Sequence, residues 1–448
     1  MAVTYKTPGV YVQEIPTLPP SVAEVSTAIP AFIGCTDGGP VPDGDGKIVP
    51  VVKRLASNFD YEPAFGDPYK SSFAVISKDD NTAVESITRQ APAYEYRLYD
   101  SLSLYFRNGG GPCYVISIGN YASAPTTAQF EAGLAALEKE DEPTLILLTD
   151  AVNLAAADYY SLCQKALGQC AKLGDRFAIL DVPNDDIEAF RSGIGMSNLK
   201  YGAAYYPYLQ TSLVYPYDPK KVTVDGTTDT LDSDSIKLEK TGLYNRIKAS
   251  LSEQRIIMPP SPAIAGVYAR VDGTRGVWKA PANESVLEVI GPMTKITNDE
   301  QEKLNIDPTA GKSINAIRAF TGKGTLVWGG RTLAGNDNEW RYVSVRRLFN
   351  MIEESVQKAT AFAVFESNDV STWLKVKAMI QSYLFGLWQQ GALVGLTQEA
   401  AFFVNVGLGK SMTPQDVLEG RMIVEIGVAA VRPAEFIILK FSHQLQQA

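Results

Sequence analysis

The sequence predicts an α/β protein. An α/β domain with a largely parallel sheet precedes a C-terminal α+β domain, and extended N- and C-terminal strands suit pairing with a neighbouring molecule; the family likeness described below makes the first domain outer and the second inner, completed by terminal strands exchanged between subunits. Three observations predict the two domains and their extended ends. From Tyr94 to Asp181, short apolar runs alternate with helical stripes, the pattern of a parallel sheet with helices on both faces. The last hundred residues run helical and then extended. Finally, each end of the chain carries a short apolar segment beside prolines. Neither segment is able to satisfy itself, so both suit pairing with a neighbouring molecule.

At the N-terminus, Val10-Tyr-Val-Gln-Glu-Ile15 is a strand candidate set among prolines at 8, 16, 19, 20 and 30. Residues 1–40 are therefore read as an extended arm, with Val10, Tyr11 and Val12 as pairing residues; that the arm contributes to the inner domain is what the family likeness below implies. Asp37–Gly46 reads as turns. Its aspartates and glycines lack the EF-hand spacing with a glutamate at position 12, so it is a solvated loop rather than a calcium site. Residues 41–90 form a linker or an outer-domain segment.

The outer α/β domain is placed at 91–255. Tyr94, Leu98, Leu102 and Tyr105/Phe106 recur at helical spacing and stop at Gly109-Gly-Gly111, a helix terminator. Cys113–Ile118 follows as a strand. A helix enters through Thr126 or Thr127 and carries Phe130, Leu134 and Leu137. Thr144–Leu148 is an apolar strand ending at Asp150, Leu162/Ala166/Cys170 mark another helix, and Arg176–Leu180 is a strand ending at Asp181. Residues 216–242 hold few apolar side chains and read as a surface excursion.

The C-terminal domain is placed at 256–432. Val345, Leu348/Phe349, Ile352 and Val356 form a helical stripe. Asn368–Ser371 offers caps for a second helix, whose apolar face holds Trp373, Val376, Ile380, Tyr383/Leu384, Leu387 and Trp388. Phe402–Val406 and Met422–Val428 read as strands. Residues 433–448 form the interlocking strand. Its run Phe436, Ile437, Ile438, Leu439, with Phe441 beyond, is apolar on both faces because a strand alternates its side chains.

Composition narrows the function. The chain has 448 residues, enough for two or three domains, with 45% hydrophobic and 20% charged residues, as in folded proteins. A net charge of −9 with no long basic run argues against nucleic acid. No window reaches the ~20 apolar residues of a membrane span, so no membrane insertion is expected. The opening Met-Ala-Val-Thr-Tyr-Lys lacks a signal-peptide core, which points to folding in the cytoplasm. The four cysteines form no CxxC pair and read as buried thiols. With His443 as the single histidine, zinc sites and His-based triads are disfavoured. No strand is followed by GxGxxG opening a helix. Ala310-Gly-Lys-Ser313 resembles part of a phosphate loop, but the required first glycine is Ile306. Neither a cofactor nor a metal is expected. One alternative stays open: an enzyme or ligand-binding protein with a small-molecule site at the strand ends near Asp150 and Asp181.

Four stretches carry a family likeness: Thr7–Ile15; Pro260–Asp272 with Arg275–Asn283; Gly322–Leu333 leading into Glu339–Arg347; and Leu387–Leu393 followed by Pro433–Phe436. Together they resemble contractile phage tail sheath proteins, most of all the sheath of extracellular contractile injection systems, with phage and R-type pyocin sheaths nearby. The resemblance implies a structural subunit without catalytic residues, stacked in hexameric rings around an inner tube protein and capped by baseplate and terminal proteins. Neighbours share terminal strands. The sheath is built extended and contracts to drive the tube through a target envelope, without nucleotide hydrolysis. The resemblance implies a phage-tail-like particle, assembled in the bacterial cytoplasm and then released or docked at a membrane. It further implies that a C-terminal helix meets the tube, partly by charge, which makes Lys375, Lys377, Arg346 and Arg347 the tube-facing candidates.

Overall fold

A computed structural model describes residues 22–41, 44, 48–78 and 83–438. Contacts divide the chain into two units. Among the described residues, the large one holds those of Ser26–Met351 and 432–438; the small one holds Ile352–Val431 and 22–25.

The large unit is built on a nine-stranded sheet. Its spatial order is Glu284–Ser285, Gly324–Val327, Ile314–Phe320, Gly202–Tyr206, Phe177–Asp181, Leu145–Leu147, Pro30–Gly34, Cys113–Ser117 and Val51–Leu55. The strands from Ile314–Phe320 to Cys113–Ser117 run parallel, and antiparallel strands close both edges. Four of the central strands are buried at every position, which is why they read as continuous apolar runs. The pleat sends Ala31 and Ile33 to one core, with Phe130, Leu134, Leu162 and Cys163. It sends Phe32 to the other, with Leu98, Leu102, Ile264 and Tyr268.

The helices fall where the spacing predicts. Leu98–Arg107 opens the series. Thr127–Leu137 follows and is entered through a capping box of Thr126 and Gln129. Ala156–Leu173 ends at Gly174, which takes φ 77°, a left-handed stop that glycine adopts without strain. All four cysteines are buried free thiols.

Three segments differ from the sequence reading, and the described part of 41–90, read as a linker or an outer-domain segment, falls in the large unit. Pro30–Gly34 is a central strand, not arm, because its flanking prolines hide a five-residue apolar run. Residues 256–351 belong to the large unit: Ile314–Phe320 adds parallel to Gly202–Tyr206, and the division falls inside the helix Val343–Thr360. The segment 41–90 supplies the edge strand Val51–Leu55 and the hairpin Ser71–Ser77/Val84–Gln90. The 216–242 stretch is not a bare excursion. Tyr217–Val224 pairs parallel with Ser71–Ser77, and Val222, Val224, Leu231 and Ile236 share a core with Phe73, Val75, Leu243, Ile247 and Leu251. Its apolar residues are too widely spaced to show a period.

The small unit rests on the helix Val370–Gln389. Asp369 caps it, accepting the Thr372 N–H at 3.0 Å. Val376, Met379, Ile380, Leu384 and Leu387 are its buried face. The helix packs on Phe402–Val406, which pairs antiparallel with Val424–Val428.

Candidate assembly interface

The small unit's sheet has two strands among the described residues. A two-stranded ribbon is marginal alone, and here a helix braces one strand. The other strand is only half-covered: Val424, Ile426 and Val428 are each of intermediate burial. Phe403 is 52% exposed. Sheet edges of this kind present N–H and C=O groups to an added strand.

In the large unit, the C-terminal segment is held by Arg432, which donates to the Asn338 carbonyl at 2.8 Å, and above all by Glu435. The Glu435 carboxylate accepts from Arg331 Nε at 2.9 Å and Nη2 at 2.6 Å, from Asn305 Nδ2 at 2.9 Å, and from the Tyr342 hydroxyl at 3.3 Å. These bonds hold its pKa below the usual glutamate range against the opposing effect of burial, which is the largest single influence. Arg331 is itself pinned. Its N–H donates to Asn315 Oδ1 at 2.8 Å, and Asn315 Nδ2 returns a bond to its carbonyl at 2.7 Å. Directly beyond this clasp, Phe436, Ile437 and Ile438 are 68%, 79% and 79% exposed. Three consecutive apolar residues are thus displayed to solvent. Of the other pairing candidates, Val10, Tyr11, Val12, Leu439 and Phe441 lie outside the described residues.

The basic candidates separate. Arg346 is buried with its guanidinium 4.3 Å from the Trp340 ring and 5.1 Å from Tyr201, and its Nε donates to Asn350 Oδ1. Arg347 is buried against Asp272, with Nη1 at 3.1 Å from Oδ1, and also donates to the Thr27 carbonyl. Both are committed to the fold's interior, which corrects their placement as tube-facing groups. Helical spacing alone does not distinguish an arginine that faces solvent from one that stacks on aromatic rings. Lys375 is exposed and Lys377 half-buried on the helix Val370–Gln389.

The strand-end aspartates are likewise consumed by the chain. Asp150 lies at the point where strand order reverses, the usual ligand crevice of such sheets. Its oxygens accept the Cys35 and Arg97 N–H groups, each at 2.7 Å, and the Tyr94 hydroxyl donates to its carbonyl. Gly34 sits so close that a Cβ there would lie 2.5 Å from Asp150 Oδ2. Asp181 accepts the Ser261 N–H at 2.8 Å and its hydroxyl at 2.5 Å, which fixes the start of the helix Ser261–Arg275. Burial pushes Asp150 up to about 6 and Asp181 up to about 7. These carboxylates hold the strand ends in place, and nothing in their arrangement supports the small-molecule alternative.

Sequence reasoning missed the Glu435 and Asp272 clasps. Pro433-Ala-Glu435-Phe and Gly330-Arg331-Thr both lie in stretches that stood out, but no spacing rule couples residues 104 apart.

Residues 335–444 match the family described as the phage tail sheath C-terminal domain. A 185-residue stretch, 41% of this chain, is 24% identical to the tail sheath protein of Vibrio phage KVP40. That stretch spans only 26% of the phage protein's length. Likeness to solved structures runs end to end. The chain is 32% identical to a chain of the anti-feeding prophage helical sheath in its contracted state, with a TM-score of 0.68, covering 98% of this chain and 100% of that one. It is 31% identical, with a TM-score of 0.67, to one in the contracted PVC sheath complex of an extracellular contractile injection system, covering 99% of each.

Proposed function

We infer the working role from one premise: this chain belongs to the contractile tail sheath protein family, and it is a subunit of a contractile sheath. The subunits stack as hexameric rings around an inner tube, with a baseplate at one end and a cap at the other. Contraction drives the tube through a target envelope. The subunit performs no catalysis; its buried aspartates serve the fold. The particle is phage-tail-like, assembled in the cytoplasm before it is released or docked at a membrane.

The observation that carries this reading is the pairing of a half-covered two-stranded sheet with a terminal apolar run that is displayed rather than housed. A strand donated by one copy to the sheet of another satisfies both. Each backbone bond nets about 0.5–1.5 kcal/mol, so five or six of them hold each junction by several kcal/mol. A head-to-tail contact that does not close on itself propagates as a tube.

Co-expression with the tube and baseplate proteins, followed by negative-stain imaging, tests this. Striated cylinders of two lengths are expected, long and narrow or short and wide. Cylinders of one fixed length under contraction conditions would reduce the chain to a static shell protein, and globular particles alone would remove the polymer.

A further inference from the structure

The Glu435 clasp is over-built for a simple tail attachment. One carboxylate takes four hydrogen bonds, two of them from a guanidinium that is 4% exposed. That guanidinium has its remaining Nη1 directed at the Asn305 and Gly335 carbonyls. Its backbone is locked to Asn315, whose Nδ2 also donates to the Ala204 carbonyl at 3.2 Å, on the central strand Gly202–Tyr206. Glu435 is thereby referenced to the parallel sheet through two side chains. Buried ion pairs of this kind add little net stability over an apolar filling, and their best-attested use is to specify one arrangement. Here the arrangement specified is the point where the chain becomes apolar on both faces, since Phe436 follows immediately.

We propose that the Arg331–Glu435 clasp is a positioning device: it fixes the place and direction in which the C-terminal strand leaves the large unit, so that a second copy of this chain receives it already aimed. The inference rests on the shared-strand reading above. A strand held at its root loses less freedom on pairing than one that swings, and is present at higher effective concentration before its partner. Glu435 is a positioning residue; the pairing itself is made by the residues after it.

The test uses the full chain with its tube partner. Glu435→Gln keeps the shape of the side chain and removes the charged, two-pronged bond to Arg331. The concentration needed for half-maximal sheath assembly should rise about tenfold, the scale on which loss of effective concentration acts. Tyr342→Phe removes one bond of the four and should shift assembly by about two- to threefold in the same direction, with the ion pair and fold kept. A spin label on Ile438→Cys, selective because the native thiols are buried, should be restricted in the unassembled wild-type background and mobile with Glu435→Gln. Truncation after Glu435 separates the two ideas. If truncation abolishes assembly while Glu435→Gln and Tyr342→Phe assemble as wild type with an unchanged label, the clasp has no positioning role and strand sharing stands. If the truncated chain assembles normally, strand sharing itself falls. A Glu435→Gln chain that does not fold makes the clasp a brace of the large unit, and an unshifted Tyr342→Phe would then overturn the proposal.

Discussion

Adjacent arginines and two strand-end carboxylates show how much of this chain's charge is spent inside it. Arg347 faces Asp272 in a pair whose side chains are 3% and 7% exposed, and the Thr27 hydroxyl adds a bond to the same carboxylate. Removing one partner of such a pair strands the other charge, at a cost of about 3–5 kcal/mol. Asp272→Ala should therefore lower the unfolding free energy by about that amount, read from the midpoint of urea denaturation. A loss below about 1 kcal/mol would mean that water reaches Arg347 and the pair is effectively a surface one. Asp181 makes the opposite kind of prediction. Burial raises its pKa to about 7, although the Ser261 bonds and the Arg97 charge pull the other way. A carboxyl raised in the folded state contributes stability that is fully present below its unfolded pKa, near 3.9, and is lost as pH climbs through about 7. The melting temperature should fall between about pH 4 and 7, and Asp181→Asn, which mimics the protonated group, should flatten that fall. A wild-type melting curve that rises over this range would place the charged form as the better-held one.

The elements that the sequence announced are those whose patterning is local. Between Leu98 and Asp181, strands buried on both faces read as unbroken apolar runs and the helices between them carry a 3.6-residue period, so type and order were legible to within a few residues. The helix Val370–Gln389 and the strands Phe402–Val406 and Val424–Val428 were legible for the same reason. What stayed hidden depends on distant partners. Val222 and Val224 become core only because Phe73 and Val75 lie about 150 residues earlier in the chain, and Ile314–Phe320 joins the large unit only through its pairing with Gly202–Tyr206. Half of the displayed site, Phe436–Ile438, was legible as an unsatisfied run; the Arg331 that anchors it was not. One prediction belongs to this scale. Lys375 is exposed and Lys377 half-buried on a helix whose buried face is apolar, and we propose them as the tube-facing candidates. Reversing both to glutamate should leave the helix intact, as judged by circular dichroism, and give particles whose tubes are absent or loosely sleeved. Particles that keep their tubes and fire normally would assign these lysines to solvation alone.

At the scale of the whole molecule, contraction has to reconcile a polymer that stays continuous with subunits that move. A ligand or signal shifts an equilibrium only through contacts that differ between the two states, so the stored energy must lie in lateral surfaces that repack. If the terminal strands are shared as proposed and stay paired throughout, they must contribute nearly equally to both states. They then set whether the cylinder holds together, while the lateral surfaces set which length it prefers. Removing residues 1–15, which carry Val10–Ile15, tests that division of labour. The large unit's core begins at Ile29, well beyond the deletion, so the truncated subunit should fold and stay soluble with an unchanged melting temperature. It should nevertheless be unable to contract into one continuous cylinder; triggered particles should break into short stacks or rings. If the truncated chain instead gives intact cylinders of both lengths, continuity comes from side-chain contacts between subunits, and the terminal strands are not the seam around which the sheath moves.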